Sequence, residues 1–362
     1  MTILHSMIFV ENLMGHYRNY NSFTKYKKCL VITRIAIDLT ICLIIGVIYI
    51  SVNVTISRNS GENLLVLNFL PALAFSKALL VNISCIRHSR SYVLYSKNVK
   101  IMHNRCKHKP SYVKSIKVLG IKCLVSSTVF VVLLVIIGLV GIYNFRHSDS
   151  YFEIIVLIIH DSWINIRYML EHLVAYCAIT GIYDYLKILS DSVYKELKYY
   201  QDINTTYYIE SDQEHFEISE KINGWRDSYL YIKGCSKQIS RCFNDLVITN
   251  SYLIIISLYF LNIVFALFYH LTASTALLIA GQKLQNEVVT LKKALAKFSN
   301  RLSTERNMKS ETRQLKNLHR FINTSPIVME FSTFSLGMYM LPMMASLAAT
   351  YIVVLVQFNH VL

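Results

Sequence analysis

Of 362 residues, 54% are hydrophobic and 16% are charged, against about 25% charged in ordinary globular domains. The formal net charge of +15 would point to nucleic acid in a soluble chain. Here the basic residues lie between unbroken apolar runs long enough to cross about 30 Å of hydrocarbon. The composition therefore excludes an ordinary soluble enzyme. It predicts an all-α polytopic membrane protein, because a segment in lipid must satisfy its own backbone hydrogen bonds.

In chain order, residues 1–29 read as a cytosolic N-terminal segment. Glu11, Arg18 and a Tyr/Asn mixture break any apolar core that a cleaved leader would need. Four apolar runs follow within 30–183: Leu30–Val54, Leu64–Ile86, Val118–Tyr143 and Tyr151 to about Tyr183. The fourth is less pure and carries His160, Asp161, Arg167, Glu171 and His172. Residues 184–245 form a polar, cytosolic helical linker. The block Leu246–Gly281, 36 residues, makes either one helix of about 54 Å or two spans of about 18 residues with almost no turn. Both of its flanks belong on the same side, so parity requires two spans, five and six, with a reversal expected near Tyr269–Ser274. A chain with one span missing is the alternative. Residues 282–325 read as cytosolic amphipathic helices, and 326–362 as the last span with a short outer C-terminus.

Charge sets the orientation. Arg87–Lys117 holds nine Lys/Arg and no Asp or Glu, Gln282–Arg320 holds ten, and Arg18–Arg34 five. The connections Thr55–Asn63 and Asn144–Ser150 hold one each, Arg58 and Arg146. Basic and neutral connections alternate as the positive-inside rule requires. This gives seven transmembrane helices with the N-terminus inside and the C-terminus outside, and a chain whose partner is membrane lipid and not nucleic acid; an RNA-binding face on Arg87–Lys117 is the alternative.

Within the inner segments, Leu284, Val288, Leu291, Leu295, Phe298 and Leu302 are spaced 4-3-4-3-4, an apolar seam along one helix. Leu315, Leu318 and Ile322 predict a second short helix before Pro326. After the fourth span, Leu186, Leu189, Val193, Leu197 and Tyr200 carry an apolar stripe past the membrane. These helices either pack on one another within one chain or form a bundle where copies meet; periodicity does not choose.

Chemistry is sparse. None of the eight cysteines falls in an outside loop, which argues against a disulfide framework. His103, Cys106 and His108 lie close in HNRCKHKP, but no second ligand pair accompanies them and the neighbouring Lys and Arg repel a cation. With no nucleotide, hydrolase or metalloprotease motif either, the sequence predicts no enzyme, no metal and no cofactor. Intramembrane charge is more informative, because it faces a partner or a wet cavity. Counted from the outer ends, Lys77 lies about 20 Å into the second span and Asp161 about 15 Å into the fourth. They are candidates for an ion pair or for a ligand pocket, and snorkelling to the surface is the third reading. His160 and Trp163 flank Asp161 and would offer a small ligand hydrogen bonds and an aromatic face. Glu171 and Arg167, four apart, can pair along one helix.

The chain closes on SLAATYIVVLVQFNHVL. Thr350, Val354 and Gln357 recur at i, i+4 and i+7 on one helix face, with Phe358 beside it, a face that suits either a pore axis or a bundle interior. TYxxxxxQF at the C-terminus resembles the signature of insect gustatory receptors, and Thr350–Phe358 matches it at every fixed position. Gly337–Ala349 (GMYMLPMMASLAA) is similar to the stretch that leads into that family's last span. The layout agrees over the whole chain, save for the compressed block Leu246–Gly281, where family members usually have a longer outer connection.

The resemblance implies a ligand-gated, non-selective cation channel similar to the insect odorant receptors, a homo- or hetero-tetramer with other gustatory receptors. It would be a multi-pass protein of the plasma membrane, in the dendrite of a sensory neuron. It implies that the last span of each copy lines one pore and that Val354 and Phe358 form an apolar gate beside Gln357. Thr350 and Tyr351 would brace the helix. A small-molecule tastant would bind in a cleft among spans two to six, with Lys77, His160, Asp161 and Trp163 as candidate contacts. Sugar-sensing members commonly carry Glu where Ile352 follows the TY pair, so the resemblance leans to a bitter or other non-sugar ligand. Two other classes stay open. A metabotropic seven-span receptor requires the opposite orientation, and a transporter requires inverted repeats and broken spans.

Overall fold

Lys25–Ser60 forms one helix of 36 residues, α1, whose apolar side chains point outward along more than one line. Leu30, Ile37 and Ile41 are exposed on one side, and Ile32, Leu43 and Val47 on another, Val47 at 67%. A helix that is exposed and apolar over this much of its circumference among the described residues is suited to lipid. Three of its hydroxyls are satisfied within it, as suits hydrocarbon: Thr33 Oγ1 donates to Cys29 O at 3.1 Å, Thr40 Oγ1 to Ala36 O at 2.8 Å and Ser51 Oγ to Ile48 O at 2.7 Å. The structure is a computed structural model. It describes residues 12, 17–60, 76, 79–106, 113–114, 117–118, 120–121, 125, 128, 132, 151–203, 212–259, 264–305, 308–331, 334–343, 345–346 and 349–350.

After α1 come α2 (Ser89–Cys106), α3 (Tyr151–Ile203), α4 (Asp212–Tyr259), α5 (Val264–Ser303) and α6 (Lys309–Thr324), then a hairpin of β1 (Glu330–Phe331) and β2 (Phe334–Ser335). The hairpin is antiparallel, with Glu330 opposite Ser335 and Phe331 opposite Phe334. The chain divides into two units: Met1–Val93 with Val118–Val174 and Asp245–Asn250, and Leu94–Lys117 with Ala175–Asn244 and Ser251–Leu362.

In the first unit the N-terminal segment is tied down by polar contacts. A 3-10 turn, Tyr20–Ser22, follows Arg18, which is 3% exposed. The Arg18 guanidinium donates to Glu171 Oε1 of α3 at 2.5 Å, and the Cys85 thiol lies 3.8 Å from the same oxygen. Asn21 N–H donates to the fully buried Ser89 Oγ at 2.7 Å, and Arg34 stands over the Tyr17 ring at 5.9 Å. Glu171 thus meets Arg18, 153 residues away, whereas the sequence pairs it with Arg167, whose side chain lies outside the described residues. The basic segment after the second apolar run is helical as far as Cys106. Tyr92, Tyr95, Met102 and Cys106 form its buried stripe, and Arg90, Lys97, Lys100 and Arg105 are exposed.

The second unit holds the apolar core. The predicted seam on α5 is buried throughout, with Leu284, Leu295, Phe298 and Leu302 at 0% exposure. Leu186, Leu189, Val193 and Leu197 of α3 are buried as well. A third stripe, on α4, was not expected: Ile218, Ile222, Trp225, Tyr229, Ile232 and Ile239 are all buried. Phe298 joins the helices, its ring 6.1 Å from that of Trp225 and 5.7 Å from that of Tyr200. The seam therefore closes inside one chain. α6 packs alongside α5 with Leu315, Leu318 and Ile322 inward and Lys309, Arg313, Lys316 and Arg320 exposed, the pattern of a helix in water.

Two expectations are corrected. The reversal in the apolar block is not at Tyr269–Ser274, which is helical within α5; the separate helices end at Tyr259 and begin at Val264. The last run is not helical from Pro326. Ser325, at φ −139° and ψ 60°, ends α6, as the residue before a proline is driven out of the helical region. Ile327, Met329 and Phe331 are then buried while Glu330 is exposed, the two-residue period of an extended strand.

Phe298→Ala is expected to destabilise the protein by about 3–5 kcal/mol, and Val289→Ala, exposed on the same helix, by less than about 0.5 kcal/mol; thermal midpoints of the detergent-solubilised chain measure both. Arg18→Ala or Glu171→Ala alone is expected to cost about 3–5 kcal/mol by removing one member of a buried ion pair. The same thermal scans on Arg18→Met with Glu171→Leu should recover most of that loss, and a double variant no better than the singles would show the pair is not coupled.

Candidate functional site

The sequence-predicted residues fall unevenly on the structure. Thr350 is described: it is helical and exposed, and its Oγ1 donates to Ser346 O at 2.9 Å. Tyr351, Val354, Gln357, Phe358 and Lys77 lie outside the described residues. His160, Asp161 and Trp163 stand on α3, and their side chains lie outside the described residues. Among the described residues, no three His, Cys, Asp or Glu side chains are gathered so as to hold a metal ion. What the structure does place in detail is the base from which the C-terminal helix starts.

This base is built on α4 and α5. On the α4 side, Tyr229 Oη donates to Ser325 O at 2.9 Å and Ser236 Oγ donates to Val328 O at 2.9 Å. Burial pushes the Tyr229 phenol well above its ordinary value, so it remains protonated and its donated bond persists across the physiological range. Met329 sulfur lies 3.2 Å from Ser236 Oγ and 3.7 Å from Ser240 Oγ. Next to them, Cys235 is 1% exposed and its thiol is pushed up to about 12 by burial, which makes it an inert core group. The segment 325–331 is thus fixed through its carbonyls, which an extended strand presents to the side. The hairpin returns the chain, and Leu336 N–H donates to Met329 O at 2.8 Å.

On the α5 side the contacts are again to backbone. Gln285 Nε2 donates to Leu336 O at 2.9 Å, and Met338 N–H donates to Gln282 Oε1 at 3.3 Å. Gln282 Nε2 in turn donates to Asn286 Oδ1 at 2.9 Å. Gly281 is buried, and a Cβ there would stand 2.7 Å from Leu336 O and 2.8 Å from Leu336 Cγ, so only glycine permits this approach. Met340 N–H bonds Gly337 O at 3.0 Å and Leu341 N–H bonds Met338 O at 3.1 Å, the first turn of the C-terminal helix. Pro342 fits that turn, where a missing N–H costs nothing. The Tyr339 hydroxyl bonds Ser335. Pro342, Met343, Ala345, Ser346, Ala349 and Thr350 are all exposed, so the described part of this helix stands clear of its base.

Gly281, Gln282 and Gln285 carry no signal that sequence reasoning could use. They sit where an apolar block gives way to a charged one, and their partners are main-chain groups, which leave no complementary residue type to find.

No protein-family model matches the chain, and no curated protein does. Solved structures do. The chain is similar to the insect olfactory receptor OR5 from Machilis hrabei in complex with eugenol, at a TM-score of 0.68 and 15% identity over 99% of this chain and 98% of that one. It is also similar to another structure of the same receptor, at a TM-score of 0.60 and 16% identity over 98% and 99%. At that identity the likeness is one of architecture: this chain is an all-α polytopic membrane protein with the fold, from end to end, of an insect olfactory receptor.

Proposed function

We propose that the chain is a subunit of a ligand-gated, non-selective cation channel of the insect chemoreceptor superfamily, and within it a gustatory receptor. The observation that carries this is the full-length fold match to an insect olfactory receptor, together with a C-terminus, Thr350–Phe358, that resembles the gustatory signature. In this reading the chain crosses the plasma membrane seven times with its N-terminus inside. Residues 1–29, 184–245 and 282–325 are cytosolic, the first four spans lie within 30–183, and 246–281 contributes two more. The last span lies within 326–362 and its helix starts at Met340, beyond the hairpin. The dendrite of a sensory neuron is the setting such a receptor serves.

Four copies, of this chain alone or mixed with other gustatory receptors, surround one axis, and the exposed C-terminal helix of each lines the pore. Val354 and Phe358 close it by excluding water, Gln357 stands beside them as the polar group nearest the gate, and Thr350 and Tyr351 brace the helix. The bond from Thr350 Oγ1 back to Ser346 O supports that bracing role. The ligand is a small tastant, and Ile352 favours a bitter or other non-sugar compound. That the similar receptor was solved with eugenol, a small aromatic molecule, supports a small organic ligand here. Lys77, His160, Asp161 and Trp163 are the proposed contacts.

Whole-cell recording from cells expressing this chain alone tests the reading, with pooled sugars, plant alkaloids and eugenol as stimuli. Expected is a rapid cation current that persists when G-protein signalling is blocked, with altered relative permeability in Gln357→Ala. An extracellular N-terminal epitope, or a current that vanishes with G-protein blockade, would overturn it.

A further inference from the structure

The two α5 glutamines hold backbone immediately ahead of the C-terminal helix. The α5 helix is fixed by its buried seam, of which Leu284 and Val288 lie beside them, at 0% and 4% exposure. Gln282 and Gln285, one turn apart, reach from this fixed rod to two main-chain groups that flank Gly337. Both groups lie ahead of the C-terminal helix and have no partner in its ladder. Met338 N–H precedes the first turn, where amides lack intrahelical acceptors, and Leu336 O lies outside it. Gln282 therefore supplies, from a different helix, the acceptor that a capping side chain normally supplies from the helix's own start. Gly281 lets the Leu336 carbonyl come close enough to be held.

We propose that Gln282 and Gln285 form a two-point clip that sets where the C-terminal helix starts and so tunes the balance between closed and open channel. The gating part rests on the channel reading above. Gln282 and Gln285 are positioning residues, acting through the backbone of Leu336–Met338 rather than on ions or ligand. Neither group is charged, so the clip is short in range and depends on geometry. A displacement of the base breaks it at once, as a two-state element requires.

The donor pattern gives the test its asymmetry. Gln282 must present oxygen, because its partner is an N–H; Gln285 must present nitrogen, because its partner is a carbonyl. Gln282→Glu keeps the acceptor, and the exposed Asn286 amide can turn to donate to it. Gln285→Glu sets a carboxylate against the Leu336 carbonyl. In cells, with the compound that opens the wild type, Gln285→Glu is expected to shift the half-maximal concentration by about 2- to 10-fold, the worth of one hydrogen bond. Unitary conductance and surface density should stay at wild-type values, and Gln282→Glu should behave as wild type. Where Gln285→Glu lowers surface expression, Gln285→Met, of similar length with neither donor nor charge, takes its place. In parallel, hydrogen exchange on the purified full chain should be faster over 336–343 in Gln285→Glu and unchanged in Gln282→Glu. If the wild type conducts and the two glutamate variants respond alike, the clip is overturned. If the wild type carries no current, the channel reading and the gating role fall together, and exchange alone decides the positioning role: no acceleration in Gln285→Glu overturns that as well.

Discussion

Six apolar side chains spaced four and three apart along α5 give the second unit its fixed reference. Leu284, Val288, Leu291, Leu295, Phe298 and Leu302 are all buried, with the Phe298 ring against Trp225 of α4 and Tyr200 of α3, and burying a seam of this kind removes enough apolar surface to hold long helices in register. The other parts of that unit are hung on it. α6 returns along α5 with its own short stripe, the strand after Ser325 is held to α4 by Tyr229 and Ser236, and the C-terminal helix begins against Gly281, Gln282 and Gln285. Position is passed outward from an apolar core to a polar base by hydrogen bonds to backbone.

Two solvents shape the chain in opposite ways. α1 turns Leu, Ile and Val outward and satisfies the Thr33 and Thr40 hydroxyls inside its own helix. α6 does the reverse, hiding Leu315, Leu318 and Ile322 and giving Lys and Arg to water. Neither helix would be stable in the other's surroundings. The buried charges of Arg18 and Glu171 are paired at hydrogen-bond distance across 153 residues of sequence, a contact whose geometry is more demanding than apolar packing.

What sequence could reveal follows from the range of the interactions. The α5 seam, the α6 helix and the α3 stripe are local periodicities, and each is buried as its spacing requires. The stripe on α4 has the same spacing, yet Lys, Arg, Asp and Glu between Ile218 and Ile239 lower the average that an apolar scan reads, so the segment looks like a polar linker. From Pro326 the opposite error arises. PIVMEF reads as the start of an apolar run, but its burial has a period of two and the proline blocks continuation of a helix. The reversal expected at Tyr269–Ser274 rested on parity, which fixes a number of crossings and not a position. The Arg18–Glu171 pair and the two glutamine contacts join residues far apart in sequence, and a single chain records no trace of them. Of the candidate site, Thr350–Phe358 rests on the sequence pattern alone, whereas the base from which the C-terminal helix starts leaves no pattern to read.

Because the α5 seam closes within one polypeptide, that part of the interior is complete without a neighbouring copy. In an assembly of such copies, the interior can drift in sequence without disturbing the joints, and the joints can change without unfolding anything. If the chain assembles as proposed, copies that share very few residues could then exchange places around the axis, so long as their outer faces agree.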